Sequence, residues 1–393
     1  MVELQKLKNS PDKHLQKLGW NWMLGTNTLQ YLTKEVVKVQ EQEAENYYQA
    51  ANELYEMFVK AGQYIIDNQL FSQLDIPPNL IDLIRFTWED DRHLHLYGRF
   101  DLAGGIDGKP IKLIEFNADT ATCIPETAVV QWSHLQENNL TKTLQFNTLY
   151  EELRNNFLRL KNLNMDLPTR ILFSTLRDTP EDETNVQVLA EAAKEAGFEV
   201  GFAYIDEIDF SADDGIFVEN KEQGGYTNYP FWFKLLPWEY IALDEPELLA
   251  ILVSMIKNRK VMVLNPAYVM LFQSKGILKT LWDLFPNHKL LLETTHKPLT
   301  NKPLCVEKVM YGREGANVRI LNKGGETQLL EEGEYGFYAK IYQEFTEFPT
   351  DLQGYYYQAG VFFAYQGCGL GFRRGGKILN NTAQFAGHLI EFS

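Results

Sequence analysis

Residues 98–126 read GRFDLAGGIDGKPIKLIEFNADTATCIPE, and the fold turns on this stretch. Apolar residues alternate with charged ones on both sides of Gly104-Gly105-Ile106-Asp107-Gly108, a run of turn-forming residues. The pattern predicts a β-hairpin. Glu115 and Asn117 lie two apart on its second strand and so share a face, to which Asp101 on the first strand can also turn. Three oxygen ligands would then converge. Two carboxylates and an amide are what a hard cation such as Mg²⁺ accepts, with waters and phosphate oxygens completing its shell. Alone, Asp-x-Glu-x-Asn also arises from strand-edge charges or caps.

Further along the chain, residues 306–320 (VEKVMYGREGANVRI) give a β-rich strand carrying Lys308, a turn with Gly312 and Gly315 around Arg313, and a returning strand. Glycines let backbone N–H groups approach a phosphate, and Lys and Arg neutralise its charge, so the segment has the makings of a mobile flap over phosphates. By itself GREG is equally an ordinary hairpin turn. Neither a Walker A motif nor GxGxxG is present. Residues 274–288 (SKGILKTLWDLFPNH) place Lys275 at the start of a helix. Residues 369–385 (GLGFRRGGKILNNTAQF) set Arg373 and Arg374 between glycines. Each is nonspecific alone, and an Arg pair in a Gly-rich turn is ordinarily a surface feature.

The rest of the chain reads as support. Lys34 to Asn68 carries apolar residues at helical spacing and predicts one long amphipathic helix. From Arg170 a strand RILFSTL, an acid-started helix through Ala196 closed by Gly197, and a strand FEVGFAYI make one βαβ unit. Beyond Leu264 a helix around Ser274 to Leu284 is followed by the Gly-rich stretch near Arg313 and by alternating strands out to the C-terminus. His93, His95, His288 and His388 are scattered, Cys123 follows the oxygen-ligand motif, and no nucleophile and base form a pair.

The 393 residues suffice for two or three domains at about 150 residues each. A net charge of −16 opposes nucleic acid and anionic lipid but leaves room for a phosphorylated small molecule held by a few positioned cations. Three cysteines without Cys-x-x-Cys spacing disfavour a disulfide framework or a zinc site and fit a reducing cytosol. The charged N-terminus lacks a signal-peptide core, and no run approaches a membrane span. A soluble cytoplasmic enzyme is the expectation, with the oligomeric state, monomer or homodimer, left open.

From about Trp88 onward the sequence resembles the synthetase half of the glutathionylspermidine synthetase/amidase family and its stand-alone relatives, a branch of the ATP-grasp carboxylate-amine ligases. The resemblance implies an α+β fold: an ATP-grasp-type body with an additional pre-ATP-grasp-like α/β domain. It suggests a helical segment and metal-binding part over 1–160, a small substrate domain over 161–262 and a nucleotide part with a phosphate lid over 263–393. It further implies ATP as co-substrate, Mg²⁺ on Asp101, Glu115 and Asn117, and Arg99 stabilising the transition state. Thr120, Thr122 and Glu183 would contact the carboxyl-bearing peptide. Lys275 and Lys308 would reach ATP phosphates beneath the flap of Arg313, Glu314 and Gly315. Gln343, Glu344 and Phe345 would form the adenine-side hinge, with Arg373 and Ile378, Leu379 and Asn380 beside the nucleotide.

The implied activity joins the glycine carboxylate of glutathione to spermidine through an acyl phosphate. The amidase domain is missing, and KLLPWE has Leu235 where the bifunctional enzyme has a polar residue. A peptide or amino-acid ligase with another amine acceptor is therefore a second reading. A nucleotide- or peptide-binding relative without catalysis is a third, opposed by the intact set of Arg99, Asp101, Glu115, Asn117 and Lys308.

Overall fold

A computed structural model describes residues 1–26, 30–140, 142–221 and 224–391. The hairpin forms as read: strands Gly98–Ala103 and Lys112–Asn117 pair antiparallel, with Asp101 opposite Glu115 and Arg99 opposite Asn117. They make one side of a five-stranded antiparallel sheet continued by Tyr356–Ala364, Gln366–Gly375 and Gln384–Ala386. Residues far apart in the chain thus share a sheet with the hairpin.

The turn between the hairpin strands depends on Gly104. Its φ is +73°, and a Cβ there would lie 2.0 Å from the Pro110 carbonyl oxygen. Gly104→Ala is expected to cost about 2–4 kcal/mol through backbone strain and overpacking. Gly108→Ala, with φ +67° but nothing within 4 Å, should cost less. Urea midpoints of the two variants check the difference.

One expectation needs correction. Residues Lys34 to Asn68 are not one helix: Glu35–Gln40 is a strand, parallel to His388–Glu391 and antiparallel to Leu4–Lys6. Val36, Val37 and Val39 are β-branched and buried there, which a strand accommodates better than a helix. The helix is Glu41–Asp67, and the Glu43 carboxylate accepts a hydrogen bond from the Gln40 N–H at 3.0 Å to close its first turn. Tyr47, Leu54, Phe58, Ala61 and Ile65 form its buried stripe. The helix packs on the Tyr356–Ala364 and Gln366–Gly375 strands. Phe58, Phe100, Phe116 and Phe272 interlock beneath it, with Phe100 and Phe116 stacked at 3.9 Å.

The βαβ unit appears as Arg170–Ser174, Pro180–Glu195 and Glu199–Phe202. Phe231–Lys234 and Met262–Leu264 complete a four-stranded parallel sheet in the order 262, 231, 170, 199 by first residue. A second five-stranded antiparallel sheet holds Leu304–Val309 between Lys340–Glu344 and Val318–Asn322. Among the described residues no helix is long and apolar enough to cross a membrane.

Candidate active site

The two five-stranded sheets and the parallel sheet meet around a cavity of about 670 Å³. Arg99, Asp101, Glu115 and Asn117 line it from the hairpin, four side chains brought to one face by the register. Arg99 grips Asp101 with two donors, Nε at 2.7 Å and Nη2 at 3.1 Å, and gives Nη1 to the Thr122 carbonyl at 2.8 Å. The Asn117 amide donates to Asp101 Oδ2 at 3.1 Å, leaving its own carbonyl oxygen available.

Lys308, on the strand Leu304–Val309 of the second antiparallel sheet, and Lys275 face this group from across the cavity. Lys275 pairs with Glu115 at 3.1 Å and donates to the Gly312 carbonyl at 2.7 Å. It precedes the helix Ile277–Leu284 instead of opening it. Lys308 donates to Gln343 Oε1 at 2.7 Å and to the Ile114 carbonyl at 3.2 Å. Burial works against the Glu115 carboxylate, but Lys275, Lys308 and Arg99 outweigh it and hold Glu115 below its ordinary value. Burial also pulls Lys308 down to about 8, with Glu115 opposing the shift. In a chain of net charge −16, six cations line this cavity: Arg99, Lys275, Lys308, Arg313, Arg373 and Lys377.

The flap residues Arg313, Glu314 and Gly315 line the same space. Gly315 has φ +72° and lies so close to the Leu379 carbonyl that a Cβ would sit 2.2 Å from it, so the flap rests on the 378–380 segment. Arg313 Nη2 binds the fully buried Glu239 carboxylate at 2.5 Å, with its guanidinium over the Tyr240 ring. Leaving a fully buried carboxylate such as Glu239 without its partner costs up to about 3–5 kcal/mol. The pair is therefore a fixture of the flap.

Gln343, Glu344, Phe345, Arg373, Ile378, Leu379 and Asn380 also line the cavity, as do Thr120 and Thr122. Glu183 does not: its carboxylate accepts from the Tyr204 hydroxyl at 3.0 Å, and the cavity instead receives Glu181 and Asp182 from the same helix. Burial, then Glu181 and Glu314, push Asp182 up to about 6. The sequence offered a run of acids, and only the helix rotation separates those facing the cavity from the one that turns away.

The arginine pair is not a surface turn. Arg373 and Arg374 lie on the strand Gln366–Gly375, where Arg373 reaches the Ala383 carbonyl at 2.9 Å and Cys123 Sγ at 3.6 Å. Arg374 points to the other side, where Asp351 takes its Nη2 at 2.9 Å and the Tyr355 ring covers it. Tyr31 also lines the cavity and donates to the buried Glu126 behind it, two residues that no local pattern marked. His93, His95 and His388 are buried, and burial lowers them to about 4, 4 and 3. All three cysteines are free and buried.

The donor set suits a hard cation: two opposed carboxylates and an amide oxygen, with no sulfur or imidazole. Among the described residues no three or more of His, Cys, Asp and Glu gather to hold a metal ion, so the set depends on the Asn117 amide beside its two carboxylates.

The family described as glutathionylspermidine synthase preATP-grasp matches residues 2–391. The "Putative acid--amine ligase" of Haemophilus influenzae is 31% identical over 342 residues, covering 84% of this chain and 81% of that protein. The bifunctional glutathionylspermidine synthetase/amidase of Escherichia coli is 25% identical over 335 residues, 80% of this chain but 52% of that protein. A trypanothione synthetase of Crithidia fasciculata is 25% identical over 322 residues, 77% of this chain and 48% of that protein. The chain thus spans about half the length of these two. A glutathione synthetase-like effector of Globodera pallida superposes with a TM-score of 0.56 at 10% identity, covering 98% of each chain, a likeness of fold alone.

Proposed function

This chain belongs to the glutathionylspermidine synthase preATP-grasp family, with an ATP-grasp-type α+β fold, and on that premise we propose that it is an ATP-dependent carboxylate-amine ligase. The observation that carries the reading is one cavity in which Asp101, Glu115 and Asn117 oppose Lys275 and Lys308, with Arg99 between the metal-type ligands and the Thr120–Thr122 segment. Asp101, Glu115 and Asn117 would hold Mg²⁺, whose charge offsets that of the triphosphate. On this reading the chain divides into 1–160 with the metal ligands, 161–262 as a small substrate domain and 263–393 with the nucleotide and its phosphate lid.

A substrate carboxylate oxygen attacks the γ-phosphorus and ADP leaves. Lys275, Lys308 and Arg99 compensate the negative charge that spreads over the phosphoryl oxygens. The amine then attacks the acyl carbon and inorganic phosphate departs, so water has to be kept from the acyl phosphate. Arg313, Glu314 and Gly315 close that side of the cavity. Glu181 and Asp182 line the cavity where Glu183 was expected, and as acids they suit a cationic amine better than the carboxyl-bearing peptide assigned to Glu183.

Glutathione and spermidine are the substrates we favour, an acidic protein suiting a polycation. A different amine acceptor is the second reading, favoured by Leu235, which lines the cavity with an apolar side chain. ADP release from Mg·ATP across a matrix of thiol peptides and amines, with products identified by mass, decides. Release requiring both glutathione and spermidine supports the first reading, and release with a thiol peptide and another amine the second. Absence of release with every pair contradicts both.

A further inference from the structure

The segment 234–239, KLLPWE, carries a chain of buried charges between the hairpin and the flap. Asp119, two residues beyond Asn117, accepts from Lys234 Nζ at 3.2 Å and from the Trp238 N–H at 2.9 Å, all fully buried. The next residue, Glu239, is equally buried and takes Arg313 Nη2 at 2.5 Å. Tyr240 supports the guanidinium with its ring and donates its hydroxyl to Tyr335 at 3.4 Å. Two buried polar links, Asp119 to Lys234 and Trp238 and Glu239 to Arg313, therefore join the strand bearing Asn117 to the arginine of the flap through the segment 234–239. Glu239 is outside the cavity lining, whereas Arg313, Tyr240 and Tyr335 are in it.

We propose that Glu239 is a positioning residue that fixes Arg313 in register with the Asp101, Glu115 and Asn117 group, so that the flap arginine meets an incoming triphosphate from a preset place. The proposal rests on the ligase reading. Arg313 spends one edge on Glu239, while its buried Nη1 has no acceptor among the described residues, a donor left over for an anion. Breaking the pair would leave the fully buried Glu239 carboxylate without its cation, so the pair persists when nucleotide binds. Preset donors bind more tightly because less order is lost on binding.

The test is calorimetric titration of the full chain with Mg²⁺ and a non-hydrolysable ATP analogue. Glu239→Gln is expected to weaken binding about tenfold. Arg313→Ala should weaken it at least as much, and the double variant should be no weaker than Arg313→Ala, the mark of one residue acting through the other. Equal affinity of Glu239→Gln and the wild type, or losses that multiply in the double variant, would overturn the proposal while leaving the ligase reading standing. A wild-type chain that binds no nucleotide would overturn both. Should Glu239→Gln lose its fold by circular dichroism, Arg313→Lys carries the test. Lysine keeps the charge but cannot serve Glu239 and a phosphate with one rigid group, so wild-type affinity there would overturn the proposal.

Discussion

Replacing Arg99 with alanine is expected to lower ligase turnover about a thousandfold, the scale of losing a preorganised cation from a phosphoryl-transfer transition state. On the proposed mechanism the reacting carboxylate and the transferred group would meet at Arg99, which is held by Asp101 and by the Thr122 carbonyl. The same grip complicates the alanine variant, because it leaves the buried Asp101 without its cation, a change that costs about 3–5 kcal/mol when a buried pair loses one partner. Arg99→Lys resolves this. It retains the charge, loses the two-point grip and should fold while turning over roughly a hundredfold slower. Turnover assayed on samples checked by circular dichroism distinguishes the cases, and a folded Arg99→Lys with normal turnover would remove Arg99 from the mechanism.

Lys308→Met is expected to weaken ATP binding by about 10–100-fold, the value of a hydrogen bond from a charged donor to phosphate. Its effect depends on pH. Burial lowers Lys308 to about 8, so the unliganded protein loses this proton above that value. A bound triphosphate favours the charged form, so wild-type affinity should fall by up to about tenfold per unit above pH about 8, with proton uptake on binding. In Lys308→Met the slope disappears. Folding stability moves the opposite way. The folded state holds this proton less tightly than the unfolded chain, so the penalty is full below about 8 and is relieved as pH rises towards the ordinary lysine value of about 10.4. Titrations at pH 7 and 9 in buffers of different ionisation enthalpy measure slope and proton uptake together. A pH-independent affinity would separate Lys308 from the nucleotide.

How far the sequence was legible follows from the range of each signal. The hairpin could be read because alternation, a glycine turn and three oxygen ligands fall within 29 consecutive residues. The βαβ unit announced itself through an acidic helix start and Gly197 at the helix end. The strand Glu35–Gln40 was read as helix because it abuts a long helical pattern, and its partner His388–Glu391 lies at the other end of the chain. Arg374 looked like a surface residue because Asp351, its buried partner, is 23 residues away with no motif between them. Glu239 and Arg313 are separated by 74 residues, so their pairing exists only in three dimensions.

Activation of a carboxylate as its acyl phosphate leaves a mark in oxygen transfer from the carboxylate to phosphate. Glutathione labelled with ¹⁸O in its glycine carboxylate is incubated with the protein, Mg·ATP and spermidine, and the inorganic phosphate is analysed by mass. One labelled oxygen is expected in each phosphate released with amide product. Amide formed with unlabelled phosphate would contradict activation as an acyl phosphate.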